Sequence, residues 1–300
     1  MTFPDYPDNS HYAIVNNQRM HYLEGGKDNA ETVVMIHGNP SWSFYYRHLF
    51  NALIDKYHCI VPDHIGMGLS DKPKEGEYSF SLKQRVDDLD ALLSSVGADK
   101  DLTLVVHDWG GMIGLAYATR YPDKIKRLVI SNTAGFHIPK SKQVPWQLKL
   151  SRTPILGSLL IQGLNVFCRG AVKQCVTRKP MTKEVGAAYL APYDSWQHRL
   201  SVLRFVEDIP LDKSHVSYEL VDEVDRNLQQ FKGLPVLICW GLNDFVFDKD
   251  YLAEWKRRFP NAEYHEYDAG HYLLEDAGEE VIPVIQNFLE KNPITVGGQT

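Results

Sequence analysis

Five short runs of apolar, mostly β-branched residues, at 32–36, 58–61, 102–106, 128–131 and 236–240, are separated by segments with helical spacing. Leu82, Val86, Leu89, Leu92 and Leu93 form one such segment, and Met112, Leu115, Ala116 and Ala118 another. A strand that is apolar on every residue has both faces buried, and parallel strands need crossover helices to cover them. The alternation therefore predicts an α/β chain built on a doubly wound, mostly parallel sheet. Two earlier runs, 13–15 and 20–23, are joined by the turn-like Asn16, Asn17 and Gln18, which predicts an antiparallel hairpin at one sheet edge.

The alternation stops between about 135 and 230, where Pro139, Pro145, Pro154, Pro180, Pro192 and Pro210 punctuate helix-like segments. Strand rhythm resumes at Pro235. The expected organisation is a core of residues 1–135 and 231–300, with an inserted helical cap at 136–230. The apolar stretch at 155–172 is interrupted by Gly157, Ser158, Gln162, Gly163, Asn165 and Arg169. It cannot supply the ~20 clean residues of a membrane span. No basic-then-apolar leader is visible in residues 1–20, so a cytoplasmic setting is expected. The net charge of −6 argues against nucleic acid as a partner.

The chemistry concentrates at the ends of the predicted strands. In LTLVVHDWGG, residues 102–111, Asp108 follows a buried strand and precedes a helix opened by Gly110 and Gly111. A sharp strand-to-helix turn holds its central residue in a strained conformation and requires small neighbours. With aspartate rather than serine there, the nucleophile is ionised near neutral pH and needs no base to activate it. It suits attack on a saturated carbon bearing a leaving group. VVMIHGNPS, residues 33–41, runs a strand into a loop whose Asn39 stands beside that turn. Backbone N–H groups of Asn39 and Trp109, with their side-chain amide and indole N–H, make candidate donors for a leaving anion. Asp244 follows the 236–240 strand and His271 follows a later one. The chain order Asp108, Asp244, His271 is nucleophile, acid, histidine.

Other chemistries find little support. The four cysteines, Cys59, Cys168, Cys175 and Cys239, have no paired spacing, and no metal-ligand cluster is seen. The Gly66-Met67-Gly68 stretch lacks the third glycine of a dinucleotide fingerprint, with Asp71 in its place. The predicted chemistry requires no cofactor and no metal.

With these residues, the chain resembles an α/β-hydrolase of the haloalkane dehalogenase and epoxide hydrolase branch, over nearly its full length. Asn39 and Trp109 are similar to the paired halide-binding donors of dehalogenases, and epoxide hydrolases usually carry an aromatic residue where Asn39 stands. The stretches GNPSWSFYYR at 38–47, VPDHIGMGLSDKP at 61–73 and APYDSW at 191–196 narrow the resemblance to the β-lactone decarboxylases of bacterial olefin biosynthesis, the OleB type. The resemblance implies a lipophilic cis-3,4-dialkyl β-lactone as substrate, a cis-alkene and carbon dioxide as products, and a place beside other olefin-forming enzymes. Haloalkane dehalogenation is the alternative, with epoxide hydrolysis behind it. In the inserted segment Trp146, Leu159, Leu160, Phe167, Tyr189, Tyr193, Trp196 and Phe205 are candidate walls of a greasy cavity.

Overall fold

A computed structural model describes residues 3–142, 146–153 and 155–294. Pro145, Pro154 and the side chain of Trp146 lie outside the described residues. Eight strands form one sheet: β1 (Ser10–Val15), β2 (Gln18–Gly25), β3 (Thr32–Ile36), β4 (His58–Pro62), β5 (Leu102–His107), β6 (Ile125–Ser131), β7 (Val236–Gly241) and β8 (Glu263–Tyr267). Their order is β1-β2-β4-β3-β5-β6-β7-β8. β1 and β2 form the expected hairpin, turning at Asn16 and Asn17, both with positive φ, as a tight primed turn demands. β2 runs antiparallel to β4, and every pair from β4 to β8 is parallel.

The pleat sorts the strand residues between two cores. Val34, Ile36, Leu104, Val106, Leu128 and Ile130 point to the face covered by helices Leu82–Ser95 and Trp109–Arg120. Val33, Met35, Val105 and Val129 point to the opposite face, against helices Arg47–Leu53 and Gly278–Lys291. Burial on both sides explains why these strands read as continuous apolar runs rather than alternating ones.

Between β6 and β7 the described residues contain helices and turns and no strand. Among them are helices Val166–Gln174, Lys183–Leu190, Leu200–Glu207 and Tyr218–Asn227. No helix among the described residues is long and apolar enough to cross a membrane.

Candidate active site

The parallel strands deliver polar residues at their carboxyl ends, where open α/β sheets place their ligand crevices. Asn39 comes after β3, Asp63 after β4, Asp108 after β5, Asn132 after β6, Asp244 after β7 and His271 after β8. Asp108 itself sits at φ 51° and ψ −129°, a strained conformation for a residue with a side chain. Its side chain makes no capping bond to the helix it precedes. The carboxylate instead turns back toward the sheet, where Oδ1 accepts the Asn39 backbone N–H at 2.6 Å. The turn is held by Thr133, whose hydroxyl donates to the Asp108 carbonyl, and by the Asp108 N–H bonded to the Asn132 carbonyl at 3.2 Å. A Cβ at Gly38 would strike the Asp108 carboxylate, and one at Gly110 would strike the backbone of Ile36 and His37.

His271 stands between two carboxylates. Nδ1 lies 2.7 Å from Asp244 Oδ2, and Nε2 lies 3.6 Å from Asp108 Oδ2. Asp244 can only accept, so Nδ1 carries a proton. Burial disfavours the imidazolium, but the Asp244 and Asp108 carboxylates outweigh it and push the His271 pKa up to about 10. Burial likewise works against the Asp108 carboxylate, and the bond and charge from His271, with the Asn39 N–H, hold its carboxyl below the ordinary range. The site thus sets the buried His271 ring between two buried acidic side chains that favour its charged form.

The Asn39 side chain differs in detail from the sequence reading. Its Nδ2 donates to the Val202 carbonyl of helix Leu200–Glu207 at 3.2 Å, and its buried Oδ1 has no protein partner. A primary amide carries two N–H groups, so one donor remains after that bond. The same helix presses Phe205 against Trp109, ring centroids 5.3 Å apart, and the guanidinium of Arg85 covers Phe205 at 3.4 Å. Of the candidate cavity residues, Tyr189, Tyr193 and Phe205 are buried, whereas Leu159 and Trp196 are about half exposed and face outward.

Two residues escaped the sequence reading. Asn132 donates Nδ2 to Asp244 Oδ2 at 2.9 Å and to the Gly241 carbonyl at 3.0 Å, while its Oδ1 accepts the Gly241 N–H at 2.8 Å. It ties the ends of β6 and β7 together and orients the acid. A polar Ser131-Asn132-Thr133 at the end of an apolar strand is the signal that marks it. His107, the residue before the nucleophile, reaches along the site: its Nε2 donates to the His271 carbonyl at 2.8 Å. Burial, reinforced by the charge on His271, pushes its pKa down to about 3, so its ring is neutral and stacks on Tyr45.

Residues 31–155 and 172–278 match the model of the alpha/beta hydrolase fold. The chain belongs to the alpha/beta hydrolase fold family. This alpha/beta hydrolase is 52% identical, over 94% of its length and 89% of the relative's, to a cis-3-alkyl-4-alkyloxetan-2-one decarboxylase of Shewanella oneidensis. It is 46% identical to a protein of the same description from Xanthomonas campestris pv. campestris, covering 98% of this chain and all of that one. Among solved structures, a haloalkane dehalogenase from Agrobacterium tumefaciens superposes with a TM-score of 0.85 over 96% of this hydrolase and 100% of that chain; at 21% identity the likeness is one of fold.

Proposed function

We infer that the chain is a cis-3-alkyl-4-alkyloxetan-2-one decarboxylase, an enzyme of olefin biosynthesis that converts a β-lactone with two alkyl arms into a cis-alkene and carbon dioxide. The near full-length match to two decarboxylases carries this reading. The site residues support a mechanism that needs no cofactor. An oxygen of Asp108 attacks the ring carbon bearing the lactone oxygen, with inversion, and that carbon–oxygen bond breaks to release a carboxylate. The indole N–H of Trp109 and the remaining amide N–H of Asn39 stabilise the departing charge. The bond to the carboxylate carbon then breaks, its electrons form the alkene, and the Asp108 ester leaves in the anti sense, regenerating the carboxylate. Inversion followed by anti elimination converts the cis lactone into the cis alkene. Asp244 orients His271, and the imidazolium balances the charge of Asp108 before attack and after release.

Residues 136–230 act in this reading as the cap that covers the crevice, with Val202 and Phe205 contributing to its floor. The setting is cytoplasmic, alongside the enzymes that form the lactone. Hydrolytic dehalogenation would require the same Asp108 to form an alkyl ester that a water, deprotonated by His271, then cleaves. Turnover in ¹⁸O-water separates the two. A cis-3,4-dialkyl β-lactone is expected to yield cis-alkene with no β-hydroxy acid and no label in Asp108, and Asp108→Ala is expected to abolish the alkene. Rapid halide release from 1-halobutane by a protein that leaves the lactone untouched would overturn the assignment.

A further inference from the structure

Charge is unevenly distributed along this acidic chain. Residues 136–183 carry nine Lys and Arg and no Asp or Glu, in a molecule of net charge −6. Two of the nine pair with acids elsewhere, Lys142 with Asp248 and Arg178 with Glu280. Among the described residues, Lys149, Arg152, Arg169 and Lys173 have no acidic partner within ion-pair distance. Arg152 is instead anchored through the carbonyls of Val206 and Ile209, at 2.7 and 2.8 Å.

The same segment holds an apolar knuckle. Ile155, Leu159, Leu164 and Val166 are 78%, 50%, 62% and 49% exposed. Leu159–Gly163 is a π-helical turn closed by the Leu164 N–H on the Leu159 carbonyl at 2.9 Å, which brings both leucines out on one side. Trp196, 48% exposed, joins them: its carbonyl accepts from Gln162 at 3.2 Å and its ring borders Gly163. In helix Val166–Gln174 the buried Cys168 and Ala171 face inward, leaving Val166, Arg169 and Lys173 in a row on the outer face. The acid next to this surface in sequence, Asp194, is bonded to His198 at 2.7 Å.

We propose that the 155–173 face of the inserted segment docks on an anionic phospholipid surface, inserting Leu159, Leu164, Val166 and Trp196 at the headgroup boundary while Arg169 and Lys173 meet lipid phosphates. Exposed aliphatics and a tryptophan beside unpaired cations are the chemistry of interfacial docking. The electrostatics also select a bilayer of negative surface charge, since the rest of the chain is acidic and is repelled by it. The decarboxylase reading supplies a use, because a lactone with two alkyl arms partitions into lipid. The surface stands without that use, and its test contains no substrate.

The test is sedimentation of the full chain with vesicles of phosphatidylcholine alone and of phosphatidylcholine with about a third phosphatidylglycerol. Binding is expected on the anionic vesicles, weakened at least about tenfold by Arg169→Glu with Lys173→Glu, and lost in about half-molar salt. Leu164→Glu with Val166→Glu is expected to remove binding while circular dichroism and Tm stay those of the parent. Equal binding to both vesicle types, or no pelleting of the folded parent, would overturn the proposal. So would a dimer in light scattering that Leu164→Glu with Val166→Glu renders monomeric, because a second copy would then own the surface.

Discussion

Asn132 shows how one side chain can set the performance of a site it never touches chemically. Its amide satisfies Asp244 Oδ2 and both backbone groups of Gly241, and its φ of 37° places it where few side chains sit comfortably. Glycine tolerates that backbone, so Asn132→Gly removes the amide without adding strain. The buried acid then loses one of its bonds and Gly241 loses two, which costs about 1–3 kcal/mol in a thermal or denaturant melt. Freed of this tie, Asp244 holds His271 less rigidly, and kcat is expected to fall roughly tenfold to a hundredfold with little change in KM. The kcat–pH profile is expected to shift as well, which a loss of stability alone would not produce. An unchanged kcat and pH profile in a destabilised protein would reduce Asn132 to a structural tie. The five candidates Asn39, Asp108, Trp109, Asp244 and His271 were legible because each stands in a patterned string after a strand. Asn132 was not, because its role depends on β6 and β7 being neighbours, and no local pattern states which strands lie side by side.

The strand–turn–helix at Asp108 is the element on which the site depends, and its two glycines are required for different reasons. A Cβ at Gly110 would enter the backbone of Ile36 and His37 on β3 and the loop after it, atoms that cannot rotate away. A Cβ at Gly111 would meet the side chain of Thr133, whose hydroxyl holds the Asp108 carbonyl; the hydroxyl and methyl can rotate away, but the Thr133 Cβ, 2.7 Å off, moves only with its backbone. Gly110→Ala is therefore expected to destabilise by about 3 kcal/mol or more, and Gly111→Ala by about 1–2 kcal/mol with a larger relative loss of turnover. Equal melting temperatures for the two alanine variants would refute this distinction. The elements themselves followed the sequence closely, since β3 spans the expected 32–36 and β5 extends the expected run by one residue to His107. Legibility ended where direction matters rather than periodicity. Leu159 and Trp196 carry apolar side chains at helix-like positions, and hydropathy cannot say whether such a side chain faces a cavity or solvent. The same limit applies to Asn39, whose bond to Val202 spans 163 positions in sequence.

At the scale of the whole molecule, the buried titratable groups divide stability into two pH limbs. Burial depresses His37 and His64, and drives His107 down to about 3, so the folded state refuses protons that the unfolded chain accepts below about 6.5. Stability therefore falls as pH drops through that range, and more steeply below about pH 4, where the unfolded chain protonates this carboxyl while folded Asp63, held down at about 2 by His21 and His37 against the cost of burial, keeps its charge. On the alkaline side the sign reverses for His271. Its folded pKa of about 10 lies above the unfolded value, so its contribution is complete below about pH 6.5 and is lost as pH rises toward 10. Lys72, buried and lowered to about 8, acts oppositely from about pH 8 upward and blurs the limb in the parent protein. Subtracting a variant isolates the histidine. Gln at position 271 keeps a donor within reach of Asp244 but cannot titrate, and it leaves Lys72 and the three depressed histidines in place. The difference in unfolding free energy between parent and His271→Gln is expected to shrink from pH 7 to pH 10, with a limiting slope of about 1.4 kcal/mol per pH unit. Near pH 6 the difference should be level, and at lower pH it changes again, because the charge of His271 also shifts Asp108 and His107 in the parent. A flat difference from pH 7 to 10 would mean that His271 is neutral in the resting enzyme. Asp108 would then face an imidazole free to deprotonate water, and the balance would tip from decarboxylation toward the hydrolytic route.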